Sequence, residues 1–177
     1  MQMIKTILVP IDFSDYSKNA LKYAVDFAHH FKADIHIVYI IEPAVYPADF
    51  SMGQIAYPTI DEDISERAKK ELNELAKEIV GESLKWNIII KTGKPFYEIN
   101  STASETDADL IIIATHGHTG MEHLLFGSTA EKVVRKAPCP VLTLREPIKG
   151  FKFSKWLLLF EKTINILIVF FYIFQNI

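Results

Sequence analysis

Three glycines, two hydroxyl residues and an aspartate are the side chains of this sequence best suited to hold a phosphorylated ligand. Gly117, Gly120 and Gly127 lie in one stretch, His116–Gly127, and Ser128-Thr129-Ala130-Glu131 follows directly. The first amides of a helix have no acceptor within the helix and favour an anion, phosphate above all. Gly117 and Gly120 can adopt positive φ and turn further amides towards such a group. Gly127 lets the backbone approach a ligand closely. Ser128 and Glu131 also fit a capping box with Ser128 as N-cap. The segment therefore has two uses, an anion site or a plain helix cap after a loop.

Asp12 closes the apolar run that ends in Pro10 and Ile11. Its carboxylate can accept from a ribose hydroxyl, as acidic groups do in nucleotide-binding sheets. It can equally form an Asx turn that starts the next helix. His116, His118 and His123 include a His-x-His pair, but only Glu122 stands near as a further ligand, so loop histidines beside an anion are expected rather than a metal centre. The one cysteine, Cys139, excludes an internal disulfide and, between Pro138 and Pro140, is expected to be a small buried residue without activating neighbours. Neither a Gly-x4-Gly-Lys-Ser/Thr run nor a Gly-x-Ser-x-Gly elbow occurs, and no catalytic residue is assigned.

The elements that position these residues follow from the pattern of apolar side chains. Ile4–Pro10, Ile35–Ile41, Trp86–Ile90, Leu110–Ala114 and Val141–Leu144 are short apolar runs, expected to be strands. Between the first two, Ser17, Ala20, Leu21, Ala24, Ala28 and Phe31 recur at helical spacing, and Ser14 or Asp15 is placed to cap that helix. Ile64, Ala68, Leu72, Leu75, Ala76 and Ile79 mark a second amphipathic helix, Pro95–Thr106 a third and Ser128–Lys136 a fourth. The long connection Pro43–Pro58 carries two further breakers, Pro47 and Gly53. Strict alternation of strand and helix predicts an α/β fold, an open five-stranded parallel sheet with helices on both faces. Ligands of such sheets bind beyond the carboxyl ends of the strands, and the first and fourth strand ends are the two equipped for it.

Composition sets the outer limits. The chain has 177 residues, 49% hydrophobic and 23% charged, which excludes disorder and leaves room for one α/β domain but not two. A net charge of -3 excludes the electrostatic footprint of a nucleic-acid binder. The apolar run at the start is broken by Pro10 and Asp12 before any small-residue cleavage site, so no signal peptide is expected and the body is expected in the cytoplasm.

The body resembles the universal stress protein family. The resemblance is carried by Ile7-Leu8-Val9-Pro10-Ile11-Asp12-Phe13-Ser14, by Ala114-Thr115-His116-Gly117-His118-Thr119-Gly120, by Gly127-Ser128-Thr129-Ala130-Glu131-Lys132-Val133 and by Ala137-Pro138-Cys139-Pro140-Val141-Leu142. It resembles the nucleotide-binding branch, whose Gly-x2-Gly-x9-Gly-Ser/Thr pattern reads here Ala114-x2-Gly117-x9-Gly127-Ser128, with an alanine at the first glycine. The resemblance implies a Rossmann-like sheet of order 3-2-1-4-5 and ATP bound between strands one and four. Pro10, Ile11 and Asp12 would flank the adenosine, and Ile40 would contact the adenine. Gly117, Gly127, Ser128 and Thr129 would meet the phosphates, and Ala114, His116, His118 and Gly120 would belong to the same nucleotide site. His118 stands where the family often has arginine, so a titratable charge replaces a fixed one. The resemblance also implies a homodimer through Val141–Leu144 and a regulatory role in a stress response. Slow ATP hydrolysis or phosphoryl transfer, with Mg2+ or Mn2+ on the nucleotide, is the alternative, and a dimeric module without nucleotide a further one.

Residues 1–147 are thus expected to form this domain and 148–177 a separate apolar tail. Trp156–Phe174 holds 15 apolar residues in 19. As a helix it would span about 28 Å, close to a bilayer's hydrocarbon core. Lys149, Lys152 and Lys155 precede it, as expected for an anchor entering from the cytoplasmic side, whereas Glu161, Lys162, Thr163 and Asn165 interrupt it. A membrane anchor over 156–174, an interfacial helix and a helix packed on a partner are the readings.

Overall fold

A computed structural model describes residues 4–43, 62–115 and 127–144. Nine elements alternate along the chain: β1 (Thr6–Ile11), α1 (Asp15–Phe31), β2 (Asp34–Ile41), α2 (Glu62–Ile79), β3 (Trp86–Thr92), α3 (Pro95–Glu105), β4 (Leu110–Ala114), α4 (Ser128–Lys136) and β5 (Val141–Leu144). All strands are parallel, in the order β3-β2-β1-β4-β5. The fold is the open five-stranded parallel sheet expected from the alternation.

Successive side chains of a strand point to opposite faces, so each central strand serves two cores. Ile7, Val9, Ile11, Ile35, Ile37, Leu110 and Ile112 are buried under α1 and α2. Leu8, Val38, Ile111 and Ile113 are buried on the other face with Ile99, Ala103, Ala130 and Val133 of α3 and α4. This double burial explains why β1, β2 and β4 read as unbroken apolar runs. The outer strands are less covered: β3 is half-buried along most of its length, and β5 is buried only at Val141.

Helix faces follow the expected spacing, with two differences. Phe27 joins the buried stripe of α1, and Ile64 at the start of α2 is 50% exposed because the first turn of that helix lies outside the packed layer. Strand ends also shift by a residue or two: β1 runs from Thr6 to Ile11, and β3 continues to Thr92 because its pairing with β2 reaches Ile41.

The sheet is closed at one end of the β1–β4 junction and open at the other. At the amino end, Asp109 Oδ2 accepts from the amides of Lys5 (2.8 Å) and Thr6 (3.0 Å), and the Asp109 amide donates to the Thr6 carbonyl at 2.9 Å. The β1–β4 register then covers Ile7↔Leu110 and Leu8↔Ile111 and stops. Beyond it β1 stays on β2 as far as Ile11↔Tyr39, and β4 stays on β5 as far as Ala114↔Leu144. Proline supplies the reason. The Lys5 carbonyl serves β2 and the Thr6 carbonyl serves the β4 side, so even-numbered residues of β1 face β4. Pro10 is one of them and has no N–H to give.

Among the described residues no helix is long and apolar enough to cross a membrane. The boundary at 147/148 and the expected tail helix over 156–174 lie outside the described residues, as does the connection between residues 44 and 61.

Candidate functional site

The gap between the carboxyl ends of β1 and β4 is the topological switch point, where a doubly wound sheet takes its ligands. Pro10, Ile11 and Asp12 reach it from β1, Ile40 from the neighbouring β2, and Ala114 from β4. They approach on two faces. Ile11 and Ala114 pack with the α1/α2 core, and Ile40 packs with the α3/α4 core. The Ala114 methyl group is thus used in packing against the α1/α2 cluster.

Gly127, Ser128 and Thr129 are brought to the same edge by a backbone latch. The Gly127 amide donates to the Thr115 carbonyl at 2.7 Å, and the Thr115 amide donates to the Leu144 carbonyl at 2.8 Å. The end of β4, the start of α4 and the end of β5 therefore meet at one point. Glycine is favoured there by tight space rather than by φ, which is -67°. A Cβ at residue 127 would lie 3.0 Å from the Thr115 carbonyl oxygen.

The latch changes the expected capping box. Gly127, not Ser128, is the N-cap of α4, and no side chain among the described residues caps it. Ser128 is the first helical residue and is exposed, and Glu131 pairs with Arg135 at 3.1 Å instead of reaching back. The first bond of the helix runs from the Glu131 amide to the Gly127 carbonyl. The amides of Ser128, Thr129 and Ala130 precede it and have no acceptor in the helix. These three donors and the positive end of the helix dipole make the local chemistry that of an anion site.

Asp12 realises the Asx turn. Its Oδ1 accepts from the Ser14 amide at 3.0 Å and from the Ser14 hydroxyl at 2.6 Å, and its own amide donates to Ser17 Oγ at 3.3 Å. Ser14 is the N-cap of α1 and its Oγ accepts from the Ser17 amide at 3.2 Å. The carboxylate is thereby fixed at the strand end, beside the positive end of α1.

The left-handed backbone of Phe13 and its contact with Tyr39 were not marked by the sequence. Phe13 takes φ of 63°, left-handed backbone that costs a bulky residue about 1–2 kcal/mol. Its ring packs on Tyr39 with centroids 4.9 Å apart and planes at 53°. Such a pair contributes about 0.5–1.5 kcal/mol beyond its burial, enough to offset much of that cost. Burial, and then the carboxylates of Glu71, Asp12 and Glu42, push the Tyr39 phenol above its ordinary range, so it stays neutral. No local pattern marks a phenylalanine for left-handed backbone, since glycine or asparagine is the usual signal. Asp109 and Thr115 escaped notice for a similar reason, because their bonds join segments distant in sequence.

His116, Gly117, His118 and Gly120, together with His123 and Glu122, lie outside the described residues. Among the described residues no group of three or more His, Cys, Asp or Glu side chains could hold a metal ion. Cys139 packs at the edge of the α3/α4 core, and burial together with the Asp109 charge raises its thiol to about 11, against the lowering effect of a bond from the Ile111 backbone. It is a poor nucleophile.

Residues 3–145 match the universal stress protein family. The chain belongs to that family. A universal stress protein of Methanocaldococcus jannaschii is 36% identical over 154 residues, which cover 83% of this chain and 85% of the relative. A second protein of that archaeon, of solved structure, superposes with a TM-score of 0.68 at 28% identity over 82% of this chain and 98% of its own. An Archaeoglobus fulgidus universal stress protein, 25% identical, superposes with a TM-score of 0.59 over 81% of this chain and all of its own, and was solved in complex with dAMP. As a universal stress protein, the chain has the family's fold, and its α4 donors stand at the edge where such sheets take ligands.

Proposed function

We propose that this universal stress protein binds an adenine nucleotide, ATP in the first place, across the carboxyl ends of β1 and β4, and acts as a nucleotide-responsive regulator in a stress response. The observation that carries the reading is the helix start at Gly127: the first three amides of α4, which have no acceptor within the helix, lie beside the end of β4, where the β1–β4 ladder has opened. The dAMP complex of the A. fulgidus relative supports it.

In this reading each residue has a limited task. The Ser128, Thr129 and Ala130 amides hold the phosphates, and the Ser128 and Thr129 hydroxyls add donors beside them. The glycines of the 116–126 segment and His116 and His118 complete the phosphate side, with Mg2+ or Mn2+ entering on the nucleotide. Asp12, held by Ser14, serves the ribose, and Pro10, Ile11 and Ile40 offer apolar surface to the base. The reading takes binding as the function, with slow hydrolysis through His116 or His118 as its alternative.

The signal would leave through the sheet edge. β5 pairs with β4 on one side, and its other edge, Val141–Leu144, is the surface on which a second copy would add its own strand. The Thr115 amide bond to Leu144 links that edge to the phosphate end of the site. Residues 148–177 are proposed as an apolar appendage outside the site, tethering the domain to a membrane through 156–174, on composition alone.

Calorimetric titration of the full chain with ATP, dAMP, adenosine and tripolyphosphate tests the reading. ATP and dAMP should bind, with ATP tighter than adenosine because the phosphates meet the helix start. Absence of binding by all four at millimolar concentration would sink it.

A further inference from the structure

We propose that the left-handed turn at residue 13 is a positioning element of the nucleotide site, and that Phe13 holds it only because its ring is clamped by Tyr39. The inference rests on the nucleotide reading above and concerns residues that reading leaves without a task.

Three described residues other than glycine have positive φ: Phe13 (63°), Lys32 (56°) and Asp107 (48°). Two have ordinary reasons. Lys32 terminates α1, and its amide donates to the Ala28 carbonyl. Asp107 follows α3, and its amide donates to the Ser104 carbonyl at 3.4 Å. A left-handed residue after a helix is a standard way to satisfy its last carbonyls. Phe13 stands before a helix, where that reason does not apply, since Ser14 already provides the cap.

What the turn does is local and lies at the ligand end of the sheet. It reverses the chain between Asp12 and Ser14, so that both the amide and the hydroxyl of Ser14 reach Asp12 Oδ1. Without the reversal the carboxylate loses the two donors that fix it at the strand end. The Phe13 amide meets no acceptor among the described residues. The ring, meanwhile, packs with the α1/α2 core against Tyr39, which lies level with Ile11 in the β1–β2 register. Backbone strain held by surrounding packing is characteristic of ligand-binding ends of folds.

A glycine at 13 would adopt the turn freely and need no clamp. A β-branched residue would resist it strongly. The test is a set of full-length variants, Phe13→Gly, Phe13→Val, Tyr39→Ala and the Phe13→Gly/Tyr39→Ala double, each titrated with ATP and melted thermally. Phe13→Gly should bind within about threefold of the starting protein, although it melts lower. Phe13→Val should bind about tenfold more weakly. Tyr39→Ala should weaken binding in the Phe13 chain and leave it unchanged in the Phe13→Gly chain, because no clamp remains to lose.

A merely structural role would lower the melting temperature of all variants without this pattern in affinity. Equal binding by Phe13→Val, or the same loss from Tyr39→Ala in both backgrounds, overturns the positioning role alone. The Tyr39 comparison decides the matter even if Phe13→Val does not fold. A starting protein that binds no nucleotide overturns the underlying reading as well, which is a separate and recognisable result.

Discussion

The Gly127 amide and the Thr115 carbonyl are 2.7 Å apart, so the chain enters α4 at the point where it leaves β4. The position of the helix start, and hence of its first amides, depends on this bond. Gly127→Val would put side-chain atoms where the Thr115 oxygen already lies 3.0 Å from an added Cβ. The helix start or the Thr115 carbonyl must then give way. Stability should fall by about 1–3 kcal/mol in urea unfolding, and ATP affinity by at least about tenfold. Unchanged affinity would show that the latch does not set the site.

Ser128→Pro offers a finer cut. Proline is well accepted at the first helical position, and Gly127 has the extended conformation (φ -67°, ψ 148°) that a following proline prefers. The substitution removes one of the three uncapped amides and little else. Stability should stay within about 0.5 kcal/mol, while ATP affinity drops about tenfold for the loss of a bond to a charged group. Adenosine should bind as before. Equal effects on ATP and adenosine would mean that the amide does not meet phosphate.

The opposite end of the same strands should behave as a pure stability site. Asp109 Oδ2 accepts from the Lys5 and Thr6 amides and so stitches β1 to β4 where the sheet is closed. Asp109→Ala hands the exposed Lys5 amide to water and removes the acceptor of the half-buried Thr6 amide, at a cost of about 1 kcal/mol. Nucleotide affinity, measured well below the melting temperature, should not change. A parallel loss of affinity would mean that closure at the amino end controls the opening at the carboxyl end.

Local pattern carried most of the fold. Leu110–Ala114, Ser128–Lys136 and Val141–Leu144 have the bounds expected, because Pro138 and the polar residues around Asp109 punctuate them. Strand order is another matter. Periodicity says which residues pair with a core, not which strand lies beside which, and the order 3-2-1-4-5 came from family likeness. The site was legible as a set of residues at strand ends but not as geometry. Ser128 and Glu131 satisfied the capping-box pattern, yet the latch from Gly127 to Thr115 started the helix one residue away from it. The polar run at residues 12–15 reads as a turn, but the left-handed backbone at Phe13 does not, because its support is Tyr39, 26 positions along the chain.

His36 should give the domain a pH dependence. It lies half-buried on β2, and its Nδ1 is buried without a hydrogen-bond partner among the described residues. Burial lowers its pKa from the ordinary 6.5, Asp34 raises it, and Lys85 lowers it. With the folded value below the unfolded one, the unfolded chain holds more protons between the two. Stability is therefore full above the unfolded value and is lost as pH falls towards the folded one. Urea unfolding at several pH values from about 7 to about 5 should show this slope, and His36→Leu should flatten it. An identical slope in the variant would assign the dependence to other groups.

Ala114 decides whether the departure from the family's glycine matters. The worry is that its methyl group lies in the ligand's path. The packing argues otherwise, since Ala114 is half-buried against the α1/α2 cluster and level with Leu144 of β5. Ala114→Gly would therefore remove a packed methyl group and loosen a strand, at a cost of about 1 kcal/mol. It should bring no gain in binding. Titration of the variant with ATP beside its urea unfolding curve checks both halves. A rise in affinity beyond about threefold would mean that the methyl group obstructs the nucleotide and that the alanine tunes this protein towards weaker binding.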